Sequence, residues 1–299
     1  MNSPTRDGFW RQALAWHGSV SPRIILLVLG WGVIAGAVCL GAILAEWHFG
    51  IYIGLAVAPY EFAGTALAIL LVLRTNAGYD RWWEARKLWG GIVNQSRNLA
   101  ISALSYGPRD AGWRKRFVGW VAAFPHLTRA CLRGQPAPPE VGKLVDEAEF
   151  KKLAAADHLP GFAARSLAGL LHEACAQQQL DRFAFLQIDR ERALLIDHIG
   201  ACERILKTPL AKVFAIKVRR FIAIFLLTLP LALLHKLDAM VLIPIITMLV
   251  AYPLHSLDEI AVELQNPFPT TNLSHLPLDD ICATIERNVL ALLDQEDSP

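Results

Sequence analysis

Few side chains in this 299-residue chain stand at spacings that chemistry uses. His255 and Glu259 are four apart, so a helix sets them on one face, where imidazole and carboxylate could share a metal ion. No third ligand accompanies them, and His172-Glu173 is similarly alone, so both read as polar helix surface and no metal is expected. Glu61 lies inside an apolar run, where a carboxylate could carry a proton or an ion, although it sits near the start of that run, at its outer end. The densest cluster is Arg74 to Gly91, where Asp80, Arg81, Glu84 and Arg86 alternate with Trp82, Trp83 and Trp89. Asp80 and Glu84 are like charges one helical turn apart, so they need basic partners from another helix or subunit. Glycine-rich phosphate loops, H-E-x-x-H and G-x-S-x-G are all missing, so neither an enzyme nor a cofactor is expected. Five cysteines (Cys39, Cys131, Cys175, Cys202 and Cys282) include no C-x-x-C pair and read as reduced, packed thiols.

The elements that must position these residues are mostly apolar helices. Hydrophobic residues make up 54% of the chain and charged residues 19%, below the roughly 25% charged content of soluble domains. The net charge of +2 gives no footprint for a nucleic-acid partner. Ile24 to Ala45 is apolar for about 22 residues, enough at about 1.5 Å per residue to cross a hydrocarbon core of about 30 Å. Further spans are expected from Ile51 to Leu73, from Phe214 or Phe221 to Leu234, and from Ala239 to Leu254. Pro230, Pro244 and Pro253 are tolerated there if neighbouring helices supply the missing backbone partners. Lys and Arg crowd the flanks at Arg6, Arg11 and Arg23, at Arg74 to Lys87 and at Lys207 to Arg220, whereas Glu46 to Gly50 has none. Both termini and the region 75–212 are therefore expected in the cytosol of a lipid-embedded protein.

Within the second span, Thr65, Ile69 and Leu73 form one stripe at i, i+4 and i+8, with Gly64, Ala66 and Ala68 beside it. Small residues allow close helix approach, and rings of apolar side chains can gate a pore by dewetting. The same stripe equally fits a face turned to lipid or to the bundle core. The middle region reads as helical over Arg81 to Leu104, Phe162 to Cys175 and Leu186 to Leu206, with breaks at Gly107-Pro108, Gly134 to Pro139 and His158 to Gly161. A loop from Asn266 to Pro277 precedes an amphipathic helix over Leu278 to Leu293.

Three separated segments resemble one family. Asp80-Arg-Trp-Trp-Glu-Ala-Arg-Lys-Leu-Trp-Gly90 is similar to the stretch after the second span of prokaryotic bestrophins. Gly200 to Pro209, with Glu203 and Arg204, resembles the lead into their third span. Glu263 to Phe268, with Pro267, and then Leu276 to Leu278 and Ile285-Glu286 resemble their C-terminal segment. The resemblance covers about residues 10 to 293. It implies an all-α fold of four transmembrane helices per subunit continuing into a helical cytosolic domain, assembled as a homopentamer around a central pore. Residues 1–23 would be an N-terminal cytosolic or interfacial helix, 24–74 spans one and two, 75–212 the cytosolic helical region, 213–256 spans three and four, and 257–299 a cytosolic C-terminal segment. The implied function is passive conduction of monovalent ions across a bacterial inner membrane, chloride in animal members and sometimes cations in bacterial ones. Thr65, Ile69 and Leu73 would line the neck, and Leu180 a cytosolic aperture, with Phe183 one turn away as the alternative. The family's calcium clasp uses an acidic run where this chain has Pro267 to His275 with no carboxylate, so calcium gating through that loop is not expected. The competing reading is a membrane-anchored sensor or interaction module without conductance.

Overall fold

The computed structural model describes residues 8–237 and 239–296. The first seven residues of the expected N-terminal segment lie outside the described ones. Ten α-helices follow in order: α1 (Phe9–Ala13), α2 (Ser21–Phe49), α3 (Ala58–Tyr106), α4 (Ala111–Arg133), α5 (Glu147–Ala154), α6 (Leu159–Ala176), α7 (Arg182–Lys207), α8 (Lys212–Leu234), α9 (Leu242–Glu263) and α10 (Leu278–Glu296). A 3-10 helix, Pro139–Lys143, precedes α5, and no strand occurs among the described residues. The all-helical expectation holds.

Two boundaries differ from expectation. The second apolar element starts at Ala58 and not at Ile51. Pro59 fits this start: proline suits the first helical turn, where its missing N–H leaves no bond unmade. The apolar run to Leu73 and the helix expected from Arg81 are also one element, the 49-residue α3. Other ends follow local chemistry. Gly50 (φ 64°) and Gly134 (φ 65°) stop α2 and α4 in the left-handed conformation that glycine adopts without a Cβ clash. Asp110 accepts the Trp113 amide at 2.6 Å to open α4, and Asp181 accepts the Phe183 amide at 2.9 Å to open α7.

The chain folds as two compact units, one from residues up to Asp80 plus Leu210–Gln265, the other from Arg81–Pro209 plus the residues from Asn266 onward. Helix α3 contributes to both. In the first unit α2 packs on α8 and α9, and Leu67, Leu71, Val218, Ile222, Leu226 and Ala251 form a small core. Gly32 of α2 lets α9 approach so closely that a Cβ would meet the Met248 sulfur at 2.6 Å. The outward faces stay apolar: Leu26, Val33, Leu40, Ile224 and Leu249 are exposed. Exposed apolar surface on this scale suits lipid and not water. Helices α2, α3 and α9 are long and apolar enough to cross a membrane. Helix α8 carries Lys212, Lys217, Arg219 and Arg220 at its start, leaving Phe221–Leu234 as its apolar part.

Polar groups inside this unit are paired. Arg74, 2% exposed, meets Asp258, which also accepts Arg219 Nε at 2.8 Å. Arg23 pairs with Glu263 and reaches Glu259 at 3.4 Å, and Trp31 Nε1 donates to His255 Nε2 at 2.8 Å. His255 and Glu259, the helix-face pair noted in the sequence, thus have separate partners.

The second unit is built around α4, which is buried almost all round from Phe117 to Leu132 and packs on α6 and α10. Gly119 is required there, since a Cβ would stand 2.2 Å from the Leu144 carbonyl oxygen. Trp89 and Leu99 from α3, Leu167 and Leu171 from α6, Leu195 and Ile199 from α7, and Phe268, Cys282, Ile285 and Val289 from the C-terminal segment complete the core.

Candidate ion pathway and family motif

Along the first part of α3 burial alternates by face. Leu67 and Leu71 are fully buried, whereas Thr65 is exposed and Ile69 and Leu73 are each 56% exposed. At 3.6 residues per turn, Thr65, Ile69 and Leu73 fall within an arc of roughly 80°. The same arc holds exposed residues that the sequence stripe had not included: Phe62, Asn76 and Asp80. Phe62 thus sets an aromatic ring on this face, one turn before Thr65. The Thr65 hydroxyl donates to the Glu61 carbonyl at 2.9 Å. Glu61 itself lies in the first turn of α3, where the helix dipole favours a carboxylate.

The three family segments meet in the second unit. Arg81 donates to the carbonyls of Thr208 (2.8 Å) and Ile205, closing the exposed end of α7 just before Pro209. Glu84 finds its basic partner on a neighbouring helix, Arg204 Nη2 at 2.6 Å. Trp82 Nε1 donates to the Ser274 carbonyl at 2.7 Å, tying α3 to the loop before α10, while Trp83 stacks beside it at a centroid distance of 6.4 Å. Phe268 is fully buried, and its carbonyl accepts Arg133 Nε at 3.2 Å. The Pro267 carbonyl accepts the Leu276 amide at 2.8 Å. In the same loop the Asn266 carbonyl accepts Asn272 Nδ2 at 2.7 Å, and the Asn272 carbonyl lies 2.7 Å from His275 Nδ1. Internal donors thus occupy several carbonyls of this loop, and no carboxylate stands among them.

Leu180, expected at the aperture, and its alternative Phe183 differ in exposure. Leu180 is 4% exposed and packed in the core of its own subunit. A side chain that narrows a shared passage must leave its own subunit's core. Phe183, in the first turn of α7, is 83% exposed, and Leu186 is 64% exposed.

Sequence and structural comparisons agree with this arrangement. The profile described as Bacterial/Fungal Bestrophin protein matches residues 1–291. The chain belongs to this bestrophin family. A voltage-dependent anion channel-forming protein of Ralstonia nicotianae is 31% identical over 291 residues, covering 95% of this chain and 92% of that one. The voltage-dependent anion channel-forming protein YneE of Salmonella typhi is 33% identical over 293 residues, covering 97% and 93%. The crystal structure of a bacterial bestrophin homolog from Klebsiella pneumoniae, phased on zinc, superposes with a TM-score of 0.81 at 27% identity, covering 90% of this chain and 98% of that one. With its apolar outer faces, this bestrophin is a membrane protein.

Proposed function

We propose that this bestrophin conducts small ions passively through a pore on the axis of a homopentamer, with α3 of each subunit facing the axis. The observation that carries the reading is the α3 stripe: Thr65, Ile69 and Leu73 are exposed on a helix whose opposite face holds the fully buried Leu67 and Leu71. In this reading rings of Ile69 and Leu73 form an apolar neck that empties of water when narrow. Phe183 takes the place first given to Leu180 at the cytosolic aperture. Anions are the expected permeant species, because the curated relatives at 31–33% identity bear the name of anion channels. Four spans per subunit, with α8 as the third, and cytosolic termini in a bacterial inner membrane complete the proposal. Orientation follows from Arg81, Arg86 and Lys87 on one side and the Lys- and Arg-free segment 50–57 on the other.

Planar-bilayer recording of the purified protein tests it, with mass measurement of the detergent-solubilised particle. Discrete currents from a five-subunit particle, enlarged by Leu73→Ala, are expected. A particle of other stoichiometry, or currents indifferent to Thr65, Ile69 and Leu73, would overturn the neck assignment. No current at all would favour the sensor or interaction module.

A further inference from the structure

A cluster in the second unit, remote in sequence from the neck stripe, has the composition of a metal centre. Cys131 on α4, His158 at the N-cap of α6 and Glu203 near the end of α7 converge. Cys131 Sγ lies 3.7 Å and His158 Nε2 lies 2.9 Å from Glu203 Oε1, and all three ligand atoms fall within 4.8 Å of one another. Zinc bonds of about 2.0–2.3 Å at tetrahedral angles place ligand atoms roughly 3.2–3.7 Å apart, so modest adjustment suffices. His158 is 44% exposed and Glu203 21% exposed, which leaves a path for an ion and room for water.

We propose that Cys131, His158 and Glu203 form a binding site for a thiophilic divalent cation of the zinc class, with water as fourth ligand. The thiolate selects zinc or cobalt over calcium and magnesium, which prefer all-oxygen shells. Glu203 binds through Oε1 and keeps Oε2 for Lys207 Nζ, 3.3 Å away, as an outer partner that orients the carboxylate. The Cys131 thiol proton leaves to solvent. The Gly161 amide donates to His158 Nδ1 at 3.0 Å, so the ring proton sits on Nε2 and points at Glu203. Metal binding at Nε2 moves that proton to Nδ1 and gives up the Gly161 cap. The site competes with a hydrogen-bonded resting state, so affinity is expected to be moderate and to fall as pH drops. Loading would pin α4, α6 and α7 together one residue from Arg204, the partner of Glu84.

The other cysteines are poor competitors. Cys39, Cys202 and Cys282 are buried, which closes them to an incoming ion. Cys175 is the control, being half-buried like Cys131.

Co2+ titration of the chelator-stripped, full-length protein in detergent tests the site through the thiolate-to-cobalt absorption band. The proposal predicts one ion per chain, displaced by Zn2+ and not by Ca2+. It predicts no band in Cys131→Ser, affinity weakened at least tenfold in His158→Gln and in Glu203→Gln, and no change in Cys175→Ser. His158 is exposed, so its variant stays informative if Cys131→Ser does not fold. Absence of a thiolate band in the wild type, a band that survives Cys131→Ser, or wild-type affinity in both His158→Gln and Glu203→Gln would overturn it.

Discussion

Replacing Asp258 by Asn keeps the side-chain volume and removes one charge, and the structure sets the size of the effect. Asp258, 9% exposed, faces two guanidinium groups. Arg219 is 55% exposed, so losing that pair counts as a surface ion pair, about 0–1 kcal/mol. Arg74 is 2% exposed and would be left as an uncompensated buried cation, a loss of about 3–5 kcal/mol. At about 1.4 kcal/mol per tenfold, the ratio of folded to unfolded protein falls by roughly two to three and a half orders of magnitude. A shift of roughly 2–4 °C per kcal/mol turns this into a drop of roughly 6–20 °C in apparent melting temperature. Thermal unfolding by intrinsic fluorescence in detergent reads it. The double substitution Arg74→Met with Asp258→Leu removes both charges and is expected to recover most of the loss, because apolar replacement of a buried ion pair is often neutral or better. An Asp258→Asn protein melting within about 2 °C of wild type would refute the argument that Arg74 depends on this partner. A double variant no better than the single would refute the desolvation account.

Asp80 extends the neck stripe with a carboxylate, so Asp80→Asn is expected to shift the reversal potential in a sodium chloride gradient toward anion preference; an unmoved potential would take Asp80 off the ion path. Phe183→Ala is expected to raise conductance with little loss of stability, whereas Leu180→Ala costs about 2–5 kcal/mol as a buried truncation, and the opposite pattern in paired recording and melting experiments would restore Leu180 to the aperture. Hydrogen bonding from Arg133, then the charges of Arg133 and Arg129, hold the Asp279 carboxyl below its usual range, so its contribution to fixing α10 is present above the unfolded value of about 3.9 and is lost as pH falls through the lower folded value. The difference in melting temperature between wild type and Asp279→Asn is therefore expected to shrink below about pH 4, and a difference constant with pH would contradict the assignment.

Much of the architecture was legible because lipid-facing and core-facing helices carry strong local patterns. The apolar run Ile24–Ala45 sits wholly within α2, and the periodic run Leu186–Leu206 sits wholly within α7. The continuity of α3 was not legible, since Arg74 looks like the end of a span. Its charge is tolerated inside the first unit only because Asp258, far along the chain, comes to meet it. Glu84 announced that it needed a cation but not which one, and Arg204 is fixed by packing of α3 on α7. Cys131, His158 and Glu203 are spread over three helices at spacings that match no motif, so only the fold brings them together.

The order in which the chain is threaded has a consequence for its biogenesis. The core around α4 is completed by Phe268, Cys282, Ile285 and Val289, all made after α8 and α9. During synthesis the apolar flank of α4 that α10 covers therefore stays open while the later hydrophobic helices are being delivered to the translocon. Arg129 and Arg133, waiting for Asp279 at 2.9 Å, then act as the catch for the returning helix. A nascent chain stalled before α10 would leave that apolar groove uncovered.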